Sequence, residues 1–189
     1  MVGGEFTFEV SDYDEKTGLL NQRGLLKTLT QLESDVPGRF SLLIADLDRL
    51  KSVNDQFGHD AGDKYLFDAG TVLSTGVRTE RLDLVAARIH GDEFAIVLPG
   101  VSDVEILELI RSRVEQKMDI EDIPASIGGR PHKDGEPIDV LLKDSDQMMF
   151  LKKRQRRQAA FEALPLPKKV AGWAGSKLLR YAGINPPRQ

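Results

Sequence analysis

The sequence predicts an α+β (mixed α/β) domain built on a sheet that is at least partly antiparallel, and three observations carry that expectation. Residues 40–46 form an apolar run that stops at Asp46-Leu47-Asp48, the length and content of a buried strand. Two shorter strand-like runs, 84–89 and 93–98, are separated only by His90-Gly91-Asp92, a hairpin signal with Gly91 and Asp92 suited to the turn. Segments with helical spacing alternate with these strands.

Each further element follows from its own local signal. Gly58-His59-Asp60-Ala61-Gly62-Asp63 reads as a turn running into a helix, along which Leu66, Ala69, Gly70, Leu73 and Val77 share one face. Ser102-Asp103 caps a helix through Met118, with Leu107, Ile110 and Val114 turned inward. Residues 123–127 are a further strand, closed by Gly128-Gly129. A last helix over about 139–157 places Leu141, Met148, Met149 and Lys152 near one side. No internal repeat and no low-complexity block interrupts this order.

Composition narrows the classes of function. The 189 residues include 26 basic and 30 acidic ones, a net charge of −4, and no cysteine. Disulfide staples, zinc–thiolate sites and thiol nucleophiles are excluded, and a reducing compartment suits the chain. No apolar run approaches the roughly 18 residues of a membrane span, and the first residues lack the basic and apolar regions of a secretory signal. A cytoplasmic protein is expected. The mean charge conceals an asymmetry: from Lys152 onward ten basic residues face one acid, a net of +9, which leaves −13 on residues 1–151. An acidic body does not offer nucleic acid a broad basic surface, so no nucleic-acid partner is expected. It can hold a divalent cation where carboxylates converge.

Three acidic clusters are placed to converge: Asp46/Asp48 at a strand end, Asp92/Glu93 in the hairpin turn, and Asp60/Asp63 at a helix start. Singly, acids at turns are most often solvated. A strand end and a hairpin tip in one sheet can, however, lie side by side. Oxygen-only ligands favour Mg²⁺ or Mn²⁺, and two such ions suit phosphoryl or nucleotidyl transfer.

The order and spacing of these residues supply the sharper reading. Asp46-Leu47-Asp48-x-Leu50-Lys51-x-x-Asn54-Asp55-x-x-Gly58-His59-x-x-Gly62-Asp63, followed by Arg88-Ile89-His90-Gly91-Asp92-Glu93-Phe94, resembles the GGDEF domain of diguanylate cyclases. Asp14-x-x-Thr17-Gly18-Leu19-x-Asn21-x-Arg23 is similar to that family's opening segment. Ser126-Ile127-Gly128 and Ser145-Asp146-x-x-Met149-Phe150-x-x-Lys153-x-x-x-Arg157 are similar to its closing segments. The resemblance covers roughly residues 12–157, between a lead-in at 1–11 and a basic appendage at 158–189. Gly3-Gly4-Glu5-Phe6 is a decoy, too early and without the paired acids.

The resemblance implies a palm-like, ferredoxin-like, mostly antiparallel central sheet flanked by helices, on which each monomer holds one GTP. Two monomers, a homodimer at least transiently, then condense two GTP into cyclic di-GMP and two pyrophosphates by 3′-hydroxyl attack on the α-phosphate. By motif position Asp46 and Asp92 bind Mg²⁺ (or Mn²⁺), helped by the Leu47 carbonyl. Glu93 supports a second metal or helps deprotonate the hydroxyl. Asn54 and Asp63 read guanine, whose N1–H and N2–H₂ suit a carboxylate as adenine does not. Backbone amides around Arg49, Leu50 and Lys51 cradle phosphates that Lys51, Lys153 and Arg157 neutralise; Lys153 and Arg157 are also spaced to share a helix face. His90 and Gly91 border the nucleotide, and His59 is structural. The alternative is a degenerate domain that binds GTP or cyclic dinucleotide without efficient turnover and acts through protein contacts.

Several positions depart from the family pattern. His90 replaces the first glycine of the signature, which is tolerated if the backbone there is ordinary and distorting if it is left-handed. Arg81 fills the arginine place of the family's inhibitory product site, but Leu84 stands where its aspartate belongs and Asp83 is one residue off. Lys16 stands where an apolar residue is usual. Gln155-Arg156-Arg157-Gln158 replaces Gly-Arg-Asn, and the family's final strand is expected just beyond it. In the appendage Val170, Trp173, Ala174, Leu178, Tyr181 and Ala182 recur at helical spacing after Pro165 and Pro167. Packing of that helix on its own domain or on a second subunit ranks above docking on an acidic membrane surface.

Overall fold

Four strands form the sheet of this computed structural model, which describes residues 6–75 and 84–163. They are β1 (Phe40–Leu47), β2 (Val85–His90), β3 (Glu93–Pro99) and β4 (Ala125–Pro131), in the spatial order β2-β3-β1-β4. All three pairings are antiparallel, as expected for a ferredoxin-like sheet. Among the described residues five α-helices accompany it: α1 (Gln22–Asp35), α2 (Leu50–Phe57), α3 (His59–Thr75), α4 (Val104–Ile120) and α5 (Ile138–Glu162).

The central position of β1 explains why its sequence does not alternate between apolar and polar. All eight of its residues are buried, because helices cover both faces of the sheet. Alternate side chains feed two cores. Leu43, Ala45 and Leu47 pack with Leu66 and Leu73 of α3 and Leu107, Val114 and Met118 of α4. Phe40, Leu42 and Ile44 pack with Leu25 and Leu29 of α1 and Leu141 and Met149 of α5.

Most local expectations are met. Gly91 and Asp92 make the two-residue turn between β2 and β3. The Asp103 carboxylate accepts from the Glu105 and Ile106 amides at 2.8 and 3.0 Å, capping α4. Gly58, at φ 88°, separates α2 from α3. Three expectations change. β4 does not close at Gly128-Gly129 but runs through them, since both are close-approach glycines. A Cβ on Gly128 would stand 2.2 Å from the Met149 backbone nitrogen, and one on Gly129 would stand 1.9 Å from the Leu42 carbonyl oxygen. α5 continues to Glu162, so the strand expected after residue 157 is replaced by helix among the described residues. Met148 turns outward while its neighbour Met149 is buried, as the rotation of one helical step requires. Two helices stand beyond those expected: α1, capped by Asn21, and α2, which buries no residue fully. Val77, Gly3-Gly4-Glu5, Arg81, Asp83 and the tail beyond 163 lie outside the described residues. No helix among the described residues is long and apolar enough to cross a membrane.

Candidate functional site

The β1–β3 register places Asp46 opposite Glu93, and the Leu47 amide donates to the Asp92 carbonyl at 3.0 Å. The strand end and the hairpin tip are therefore locked side by side, which brings three of the predicted acids to one place. Asp46 is only 6% exposed, and its Oδ1 receives the Lys153 ammonium from α5. Burial lifts the Asp46 carboxyl above the usual carboxylate range, Lys153 opposes that rise, and the Asp92 and Asp48 carboxylates add to it. Burial likewise lifts Glu93, with His90 opposing and Asp46, Asp146 and Asp92 adding. Carboxylates that raise one another mark a local excess of negative charge.

That excess, with oxygen donors throughout, fits a hard divalent cation. Among the described residues, no group of three or more His, Asp or Glu side chains is arranged as it stands to hold a metal ion. Asp46 is instead neutralised by Lys153, which sits where a cation's charge would be felt. Asp48, the second acid of the strand end, belongs to structure. Its Oδ1 accepts from Ser126 Oγ at 3.0 Å, Arg156 Nε lies 3.4 Å from its Oδ2, and its amide donates to the Pro124 carbonyl.

The hairpin holds His90 with an ordinary, not a left-handed, backbone conformation. Among the described non-glycine residues only Asp122 has a positive φ, and the left-handed turn position falls on Gly91 at φ 52°. His90 ends β2 beyond a bulge at Arg88 and pairs with Glu93, its Nε2 3.3 Å from Glu93 Oε2. Arg88 fastens the tip. Its Nε and NH2 donate to the Gly91 carbonyl at 3.1 and 2.8 Å, and its NH1 reaches both Asp14 oxygens at 3.2 and 3.1 Å.

The remaining predicted residues sit on the helices after β1 and on α5. Leu50 packs against the first core, whereas Lys51 is exposed. Asn54 lies over α3: a Cβ on Gly62 would stand 1.8 Å from Asn54 Oδ1, which puts the Asn54 carboxamide next to the turn carrying Asp63. On α5 the expected shared face divides. Lys153 turns in to Asp46, while Arg157 is exposed. Arg156, which the motif reading leaves without a role, binds Asp119, Asp48 and the Ala125 carbonyl. Also unforeseen is an ion pair between Lys16 and Asp63, 2.5 Å apart and 47 residues apart in sequence. A cleft of about 380 Å³ lined by Arg49, Gln56, Phe57 and Tyr65 contains, of the predicted site residues, Arg49 alone.

Comparison with known proteins bears on the family and the fold. A protein-family model described as "Diguanylate cyclase, GGDEF domain" matches residues 11–159. "Diguanylate cyclase DgcP" of Escherichia coli (strain K12) is 31% identical over 165 residues, covering 80% of this chain and 47% of that protein. "Uncharacterized protein YhcK" of Bacillus subtilis (strain 168) is 39% identical over 109 residues, covering 54% of this chain and 30% of that one. The chain thus spans less than half the length of these curated relatives. Among solved structures, the diguanylate cyclase SiaD of Pseudomonas aeruginosa, determined with its activator SiaC, is 27% identical with a TM-score of 0.68. That match covers 78% of this chain and 60% of SiaD. A sensory box/GGDEF family protein from Caulobacter crescentus CB15 is 26% identical with a TM-score of 0.63, covering 76% of this chain and 99% of that chain.

Proposed function

From the premise that the chain belongs to the GGDEF-domain family of diguanylate cyclases, we propose that it condenses two GTP into cyclic di-GMP. Two pyrophosphates leave, and two chains meet at least transiently to do it. The observation that carries the reading is the locked junction of Asp46, Asp92 and Glu93, with its excess of negative charge.

The reaction is symmetrical. Each 3′-oxygen forms a bond to the α-phosphorus of the opposite GTP, each α–β bridging bond breaks, and each hydroxyl gives up one proton. A twofold product needs two half-sites facing each other, which an isologous dimer supplies. Glu93 accepts the proton: its carboxyl, lifted by burial, is a stronger base than a solvated one. Mg²⁺ or Mn²⁺ held by Asp46, Asp92 and the Leu47 carbonyl would supply charge neutralisation at the phosphates and an acidified hydroxyl. Asn54 and Asp63 orient the base, the former lying against Gly62. Lys51 and Arg157, both exposed, and Lys153 neutralise the triphosphate. Gly91 keeps the hairpin tip narrow, with Arg88 on its carbonyl.

The close pairing of Lys153 with Asp46 favours a second reading, a domain that binds GTP and signals through protein contacts without efficient turnover. One experiment separates the two. The purified protein is incubated with GTP and Mg²⁺ and its nucleotides are analysed by mass spectrometry. Cyclic di-GMP that disappears in Asp92→Ala supports catalysis; GTP retained on the protein with no product supports the second reading and refutes the first.

A further inference from the structure

Lys16 is the side chain that the proposed function leaves unused, and its surroundings fix it beside Asp63. It lies in the turn between Tyr13 and Leu20, which are bridged to each other. Inside that turn the Asp14 amide donates to the Leu19 carbonyl and the Gly18 amide to the Asp14 carbonyl, both at 2.8 Å. Thr17 Oγ1 donates to Asp14 Oδ1 at 2.8 Å, and Arg88 holds the same carboxylate. The turn rests on α3. A Cβ on Gly70 would stand 3.2 Å from Leu19 and 3.3 Å from Thr17, and Gly70 follows Asp63 by seven residues, on the same side of the helix. A short, rigid turn docked on that face therefore delivers the Lys16 ammonium to Asp63 Oδ1 at 2.5 Å.

Stability does not account for the pair. Both side chains are about half exposed, and such ion pairs contribute little to folding. What the pair does create is a positive donor fixed beside a two-oxygen acceptor. Guanine carries the complementary array: O6 accepts, and next to it N1–H and N2–H₂ donate. A carboxylate oxygen has two lone pairs and an ammonium three hydrogens, so Asp63 Oδ1 can keep Lys16 while both Asp63 oxygens receive the base. The ammonium then has a hydrogen left for O6. Adenine offers a donor and one acceptor along that edge and loses a contact.

We infer that Lys16 is a specificity-determining residue that donates to the 6-oxo group of guanine, beside Asp63. This rests on the reading of Asp63 as the base-reading carboxylate, and the test keeps the two apart. Binding of 3′-deoxy-GTP, which lacks the attacking hydroxyl, is measured by calorimetry with Mg²⁺, next to its 6-thio counterpart, whose sulfur is a poor acceptor. Lys16→Met is expected to weaken 3′-deoxy-GTP about tenfold and to erase the preference for oxygen over sulfur at position 6, with Lys16→Arg restoring both. Lys16→Met that binds as tightly as the parent or tighter, or that keeps the preference, overturns the inference; tighter binding would make the lysine a competitor for Asp63. If Asp63→Ala weakens binding while Lys16→Met does not, Lys16 alone is misassigned. Asp63→Ala without effect, or a parent protein that does not bind the analogue, removes the base-reading assignment and the inference with it.

Discussion

Replacing Gly62 by alanine separates folding from base recognition, because the nearest atoms the added methyl group meets all belong to one side chain. The Cβ would stand 1.8 Å from Asn54 Oδ1 and 2.8 Å from its carboxamide carbon, with Nδ2 at 3.3 Å as the third neighbour. To reach an ordinary non-bonded distance of roughly 3.5 Å, the carboxamide oxygen has to retreat by about 1.7 Å. Asn54 can do this by leaving its rotamer, at about 0.5–1.5 kcal/mol. Alanine in a helix is favoured over glycine by about 1 kcal/mol, so the two effects nearly cancel. The melting temperature is expected to move by no more than a few degrees. Recognition does not cancel: a displacement of that size breaks a hydrogen bond to the base, and a lost hydrogen bond of ~1.4 kcal/mol is about tenfold in affinity. The assay pairs a thermal melt with calorimetric binding of 3′-deoxy-GTP, for Gly62→Ala and for Asn54→Ala. Both variants should melt like the parent and bind about tenfold more weakly. Unchanged binding in both would refute the assignment of Asn54 to the base, and a collapse of stability in Gly62→Ala would refute the premise that only a mobile side chain is in the way.

Two further predictions bear on charge. Lys153→Met removes the ammonium that neutralises Asp46, so Mn²⁺ titrated without nucleotide and followed by electron paramagnetic resonance should bind more tightly by at least about fivefold, since unit charges 4 Å apart interact by about 1 kcal/mol even in water and by more near a protein surface. Because burial lifts Asp46 and Glu93 above the usual carboxylate range, protons should compete with the ion at a higher pH than for exposed acids. A weaker Mn²⁺ complex in Lys153→Met would remove these acids as the ligands. Asp12 is fully buried and pairs with Lys27 and Arg23, which hold its carboxyl well below the usual range. A lowered carboxyl in the folded state adds stability that is complete above the ordinary value of about 3.9 and is lost as pH falls below it. Asp12→Asn should therefore unfold at lower temperature than the parent at pH 7, by a margin that narrows below about pH 4; a margin constant down to pH 3 would contradict the charge assignment.

What the sequence makes legible and what it withholds divide along the range of the interactions involved. The buried strand that ends in Asp46, the hairpin turn at Gly91 and Asp92, and the Asp103 cap are decided within a few residues, and each is found in place. The helix α1 carries a local signal as well, in the Asn21 cap and the spacing of Leu25, Leu29 and Leu32, but a reading centred on motifs passes over it. Gly128 and Gly129 show the opposite case. Locally a glycine pair reads as a stop, and only the nearness of the Met149 backbone on one side and the Leu42 carbonyl on the other makes it the interior of a strand. The same division runs through the site. Motif order places Asp46, Asp92 and Glu93 in one frame, because they share a sheet register that spacing fixes. It does not reveal that Asp48 is spent on Ser126 and Arg156, or that Lys153 turns to Asp46 while Arg157 stays exposed, since those choices depend on how α5 lies across β4. Lys16 is the extreme instance. In sequence it is a departure with no visible partner, and in the fold it is bonded to Asp63. A lone substitution in a motif thus acquires chemical meaning only when the side chain that answers it comes from a different element.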